Sequence, residues 1–478
     1  LTQYFVLGIV RGRKWIPRGA LSMGEVNMVG WRIPASLTCL LALVGSVQAQ
    51  TYLLQEKFKA DNHFHVDLHM ELKGKLLFQQ GGKNESLEQQ AKADHDFVER
   101  VLNSDDKGLI TRAARFYQSA KVAIVAKDNK TERTLPVDRA LIVTQRNKEG
   151  SLLSWSPTGP MSRVDLNLFD HFDTLSLPGL LPNEKVSVGA TWKLTNSAAQ
   201  GLCYFEGLTS HSLAGKLEAV KDQKATFSIS GEARGISSGA DVKLRVNATG
   251  NFDLTTGRIV SLTWTQQDDR EQGPASPAMS AQVTVKLTRE EVQPVSELNN
   301  LNLAAVLAAA NPPADKLILT YHDPKDRYDL RHDRSWMLVA RTNEHLVLRL
   351  LDRGDFVAQV SISCWPNAGA GKHADVKEFN EAMERTPGWA QEKEVEAREV
   401  KDGAPGYWIY RVHSQGTLNG QPTVHYFYLI AGPNGDQAVM AFAMTPSQSA
   451  KLDPRDLDLV RSLAFPTATK ADAAKPSP

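Results

Sequence analysis

The sequence predicts an α+β protein in two parts: an N-terminal antiparallel curved sheet or half-barrel with helices over 50–295, and a C-terminal antiparallel sheet enclosed by helices in an α/β/α sandwich over 317–466. Three observations predict it. Apolar and polar residues alternate along many segments of strand length, turn dipeptides such as Thr256-Gly257 and Asn419-Gly420 separate them, and a few helix-start signals lie between. Short connections between successive strands make neighbours antiparallel.

Ahead of these parts, the segment from Ile33 to Ala49 follows Arg32, holds an apolar run from Leu37 to Val47 and ends in the small-x-small triplet Val47-Gln48-Ala49. That run is shorter than the roughly 18 apolar residues a membrane span needs. It reads as a secretory signal peptide over 28–49 with cleavage near Ala49-Gln50, which places the mature chain in the periplasm or outside the cell. Residues 1–27 mix basic and apolar residues without a period and read as a non-native leader, with Met28 or Met23 as the start. No later apolar run is long enough to span a bilayer.

Hydrophobic residues make up 42% of the 478 and charged ones 23%, the balance of a folded globular chain. Lys and Arg number 55 against 54 for Asp and Glu, so no net field draws nucleic acid. Cys203 and Cys364 are the two cysteines left after cleavage, and a chain with this much apolar surface to bury needs no staple, so both read as inert core thiols.

Phe64, Val66, Leu68, Met70 and Leu72 share one face of a strand whose other face carries His63, His65, Asp67, His69 and Glu71. Ser86 with Gln89 reads as a capping box opening a helix with Leu87, Ala91, Val98 and Leu102 on its stripe. A second helix is expected from Ser162, with Asp165 in the box and Leu168, Phe172 and Leu175 inward until Pro178 stops it. Strands are expected at 121–127, 139–146, 191–194, 213–220, 225–230, 241–252, 258–266 and 282–292. An Ala-rich helical linker over 296–316, broken at Asn311-Pro312-Pro313, marks the junction.

In the second part, strands are expected at 328–331, 336–341, 346–351 and 356–364. A helix then begins at Asp375 with Val376, Phe379 and Met383, and strands follow at 394–400, 407–414, 423–431 and 437–444. Asp402-Gly403 and Asn419-Gly420 are hairpin turns. A closing helix opens at Asp453-Pro454 with Leu457, Val460 and Leu463 inward, and 467–478 has nothing to bury and reads as a disordered tail.

The tyrosine strand turning into the tryptophan strand at Tyr328 to Trp336, the meander from Glu394 to Met444 and the closing Arg461-Ser462-Leu463 resemble the PsbP-like family of α/β/α sandwich domains. That resemblance implies a binding or assembly role and carries no catalytic residue over. The first part resembles the half-barrels of lipoprotein carriers in general outline only.

His63, His65, Asp67 and His69 are the candidate metal ligands, because an HxH pair on a strand projects two imidazoles to one side at a spacing that suits zinc or copper. The alternative is a wet strand face that happens to hold histidine. Trp408, Tyr410, Tyr426 and Tyr428, alternating on two neighbouring strands, are a candidate ligand groove, with cross-strand aromatic pairing as the structural alternative. Gly235-Ile236-Ser237-Ser238-Gly239 matches the GxSxG elbow of hydrolases, but an alternating strand follows it, so it reads as a hairpin loop. Asp268-Asp269-Arg270-Glu271 reads as a solvated turn. The function expected is that of an exported, non-enzymatic binding or assembly protein whose partner is an envelope protein or an apolar ligand. An exported metal-dependent or hydrolytic enzyme using the His63/His65/His69 face and a structural envelope component are the alternatives.

Overall fold

Apolar side chains at every second position drive the chain into long strands that bury one face. The computed structural model describes residues 50–466 apart from 81–82, 148–149, 170–171 and 402. The expected leader, signal peptide and C-terminal tail lie outside the described residues, as does Asp402 of one expected hairpin turn.

After β1 (Thr51–Leu53) come β2 (His63–Gln80), β3 (Lys83–Ser104), β4 (Ile110–Ala126), β5 (Asn129–Thr134), β6 (Leu141–Arg146) and β7 (Leu152–Trp155). Three short strands follow, β8 (Met161–Ser162), β9 (Lys185–Ser187) and β10 (Thr191–Lys193). Next are β11 (Gly207–His211), β12 (Ala214–Lys221), β13 (Lys224–Ser237), β14 (Ala240–Asp253), β15 (Arg258–Arg270) and β16 (Ala278–Glu291). Thirteen of these strands form one sheet in the order β10-β12-β13-β14-β15-β16-β2-β3-β4-β6-β7, with β11 on β13 and β5 on β4. One face of it buries Phe64, Val66, Leu68, Met70 and Leu72 from β2 together with Phe227, Trp264 and Val285. From the segments between β8 and β11, Leu166, Phe172, Leu180, Ala199 and Leu202 share its core.

The segment expected as a helix from Ser86 is strand β3. It pairs with β2 along its length, from His63 opposite Arg100 to Gln80 opposite Lys83. Leu87, Ala91, Ala93, Phe97 and Val101 enter the main core, while Val98 and Leu102 point the other way, beneath Leu298, Leu303 and Val306. Burial on both faces produced a spacing that mimics a helical stripe. The Ser162 capping box does form with Asp165, but its helix is only Arg163–Asn167, and Pro178 lies inside the 3-10 turn Thr174–Leu180 rather than after a helix. The linker likewise breaks into short turns at Ser296–Leu298, Ala304–Ala308 and Ala314–Leu317.

The remaining strands are β17 (Leu319–His322), β18 (Asp329–His332), β19 (Trp336–Arg341), β20 (His345–Asp352), β21 (Asp355–Trp365), β22 (Trp389–Glu399), β23 (Trp408–Leu418), β24 (Gln421–Ala431) and β25 (Gln437–Met444). Seven form an antiparallel sheet in the order β19-β20-β21-β25-β24-β23-β22. Asn419 and Gly420 take positive φ of 51° and 78°, the conformation a two-residue hairpin turn requires. Asp375 caps the helix Val376–Glu384, whose Phe379 packs on Val412, Phe427 and Leu429. On the other face, Leu452, Leu459 and Val460 pack with Tyr428 and Phe442. The edge strand β22 is exposed along most of its length and bulges between Gln391 and Lys393 and between Glu394 and Glu396.

The α+β class with an α/β/α sandwich is therefore corrected: 55% of the structure is strand and 14% helix, in several mostly antiparallel sheets. The helices beside the seven-stranded sheet run nine residues at Val376–Glu384 and seven at Arg455–Arg461, patches on a sheet rather than layers.

Within the main core, Arg115 Nε donates to Glu99 Oε2 at 2.8 Å and its Nη2 to Thr174 Oγ1 at 2.8 Å, with both charged side chains at most 5% exposed. Removing one partner of such a pair leaves a buried charge without compensation. Glu99→Ala is expected to lower the unfolding free energy by about 3–5 kcal/mol, read from urea denaturation. A loss below about 1 kcal/mol would mean that the guanidinium finds water or another acceptor.

Candidate functional site

Strand β2 lies between β16 and β3, so its polar face meets two neighbours. His65 stands opposite Glu290 of β16 and Val98 of β3, and Asp67 stands directly opposite Asp96. His65 Nε2 lies 2.9 Å from Asp96 Oδ1, and its Nδ1 lies 3.5 Å from Glu290 Oε1 and 3.9 Å from Asp67 Oδ2. A carboxylate only accepts, so in the neutral ring Nε2 carries the proton toward Asp96 and Nδ1 keeps a lone pair. His65, Asp67 and Asp96 each bring one potential ligand atom within 4.8 Å of the others. A depression of about 490 Å³ opens beside His65 and Asp67, lined also by Thr288, Glu290, Arg258 and Thr256.

The structure separates the four expected ligands. His63 is buried at the end of the strand, with Nδ1 2.8 Å from the Asp61 carbonyl, and Arg100 next to it is held by Asp61 and by Leu298 of the covering linker. His69 makes its own pair, Nδ1 to Asp94 Oδ1 at 2.5 Å and Nε2 to Glu71 Oε1 at 3.4 Å. Only His65 and Asp67 come together, and Asp96 and Glu290 join them from neighbouring strands. A helix over 86–102 would place Asp96 away from His65, whereas the strand register sets it opposite Asp67. The alternation Leu87, Gln89, Ala91, Ala93, His95, Phe97 would have placed Asp94 and Asp96 on the histidine face.

The aromatic set does not form one groove. Trp408 pairs with Ala431 and Tyr410 with Leu429, so even positions on β23 share a face with odd positions on β24. Trp408 and Tyr410 stand on the Phe379 side, their rings parallel within 2°, with His373 stacked on Trp408 at 3.6 Å. Tyr426 and Tyr428 point to the opposite core, where Arg411 lies over Tyr426 at 4.3 Å and Tyr428 donates to Asp456 Oδ2 at 2.6 Å.

Ser237 ends β13, and Ser238 and Gly239 take φ of 52° and 72° in the hairpin to β14, as the loop reading expects. The Asp268 run is not a solvated turn. It ends β15, and Asp268 and Arg270 are buried, burial pushing the Asp268 carboxyl up to about 6. Cys203 and Cys364 are both free, and burial pushes the Cys203 thiol up to about 12, which suits an inert core thiol. Among the described residues no helix is long and apolar enough to cross a membrane.

No family model and no curated protein matches the chain. Among solved structures, one from Bacteroides thetaiotaomicron VPI-5482 is similar at 13% identity and a TM-score of 0.24, covering 31% of this chain and 48% of that one. The chain thus spans about half the length of that structure. Cyanobacterial PsbP (CyanoP) from Synechocystis sp. PCC 6803 is similar at 15% identity and a TM-score of 0.24, over 33% of this chain and 98% of its own. A lipovitellin structure is similar at 8% identity and a TM-score of 0.27, over 50% of this chain and 26% of its own. These are weak resemblances of fold, and that to PsbP covers about a third of the chain. They carry no functional argument.

Burial pulls the His65 pKa down, but the hydrogen bond to Asp96, the charges of Asp67 and Asp96 and the contact with Glu290 outweigh it and hold the ring above its ordinary 6.5. The stability this adds is fully present below the unfolded value and is lost as the pH rises through the folded one. In an NMR titration His65 is expected to have a midpoint above 6.5, which Asp96→Asn lowers. A midpoint at or below 6.5 in the wild-type chain would contradict the carboxylate cage.

Proposed function

We infer that this chain is an exported, non-enzymatic binding or assembly protein that meets its ligand on its surface. The observation behind this reading is the covering of the large sheet's buried face by Leu166, Phe172, Leu180, Ala199 and Leu202, which take the volume an apolar cargo would need. Binding then falls to the outer faces, where β2, β15 and β16 present polar and charged side chains around the depression beside His65. Export rests on the apolar segment ahead of Gln50. The partner is accordingly a polar ligand or an envelope protein that docks on a sheet face.

The full chain, expressed with its own N-terminal segment and purified without detergent, is expected in the periplasmic or secreted fraction with Gln50 as its first residue. Organic extraction followed by mass spectrometry is expected to release no stoichiometric lipid. About one lipid per chain would overturn the surface reading, and an uncleaved cytoplasmic product would overturn export.

A further inference from the structure

We propose that His65, Asp67 and Asp96 bind one first-row divalent metal ion on the outer face of the large sheet, with Glu290 as a positioning residue. The proposal rests on the surface-binding reading and names its ligand. Asp67 and Asp96 are directly opposed across the β2–β3 ladder. Like charges so placed repel, and a cation between them removes the cost. His65 adds the nitrogen that distinguishes this group from an ordinary acidic patch, and the three donor atoms already lie within 4.8 Å of one another.

The 2.9 Å between His65 Nε2 and Asp96 Oδ1 is now spanned by a proton. Two metal–ligand bonds of about 2.1 Å at a tetrahedral angle span about 3.4 Å, so an ion can replace that proton once the two side chains part by roughly half an ångström, a shift their rotamers supply without movement of either strand. The imidazolium releases its Nε2 proton to solvent as the metal–nitrogen bond forms, and the neutral ring moves its one proton by way of solvent from Nε2 to Nδ1, so that either form ends with the metal on Nε2 and the proton on Nδ1. Glu290 Oε1 stands 3.5 Å from Nδ1 on a side chain that is 73% exposed and free to close in. A carboxylate there fixes the ring and raises its basicity. One imidazole and two carboxylates suit zinc or a similar first-row ion, and three protein ligands leave a coordination position open. His63 and His69 take no part, since each is committed to other partners.

Zinc is the probe, added to the full-length chain and followed by calorimetry at pH 7. One ion per chain is expected. His65→Ala, Asp67→Asn and Asp96→Asn should each weaken binding at least about 100-fold, Glu290→Gln about tenfold, and His69→Ala not at all. In nitrogen NMR, zinc should shift His65 Nε2 and leave the ring proton on Nδ1, a signature that loss of fold would not produce. Binding that survives His65→Ala, or a wild-type chain that takes no zinc, overturns the proposal. Unchanged affinity in Glu290→Gln overturns that residue's role. If zinc fails while the chain also carries no lipid, the metal falls and the surface-binding reading stands.

Discussion

The pairing of β16 with β2 is the constraint on which the large sheet depends. Two antiparallel meanders, one running from β2 to β7 and the other from β10 to β16, meet along this seam, from Ala278 opposite Leu77 to Glu291 opposite Phe64. The partners lie some two hundred positions apart in sequence, so the seam must outweigh a large loop-closure cost. Gly74 lets the strands approach: a Cβ there would come 2.4 Å from Ala281 Cβ. At the other end Glu56, fully buried, accepts from the Ile259 amide at 2.7 Å and from Arg289 of β16, while Arg289 reaches the Ile259 carbonyl. The proposed ion would sit beside this seam, with its ligands on β2 and β3 and its positioning residue on β16.

The second sheet is tied to the first through backbone carbonyls. β17 pairs in parallel with β8, Arg163 Nη2 donates to the Arg334 carbonyl at 2.5 Å, and Arg334 Nη2 donates to the Ser154 carbonyl at 2.7 Å. Arg349 donates to the Pro274 carbonyl, and Gly354 lies against Gly239 in the β13–β14 turn. Guanidinium groups suit this task because a carbonyl accepts them without a counter-charge having to be buried.

Period-two alternation made most strands legible, including the inward face of β2, the chain of hairpins from β12 to β16 and the meander of the second sheet. Helices were less legible, because a capping signal reports a local turn and says little about how far a helix continues. Ser162 and Asp165 form their box, yet the next turns go into a core that wants irregular chain. The Ser86 spacing came from a strand buried on both faces. The same error separated Asp96 from His65, so half of the candidate site could be read along β2 and the rest lay across the ladder, where register decides. Register also divided the aromatic residues of β23 and β24, because alternation within each strand says nothing about which positions of two strands share a side.

The last strand of the second sheet has a consequence for how copies of this chain meet. β22 leaves one side of its backbone unpaired, but it carries Glu392, Lys393, Glu394, Glu396, Arg398 and Glu399 and is interrupted by two bulges. Bulges break the even spacing of amides that a second strand would need, and a like edge would bring carboxylates face to face. Strand addition from one molecule to the next along that margin is therefore disfavoured.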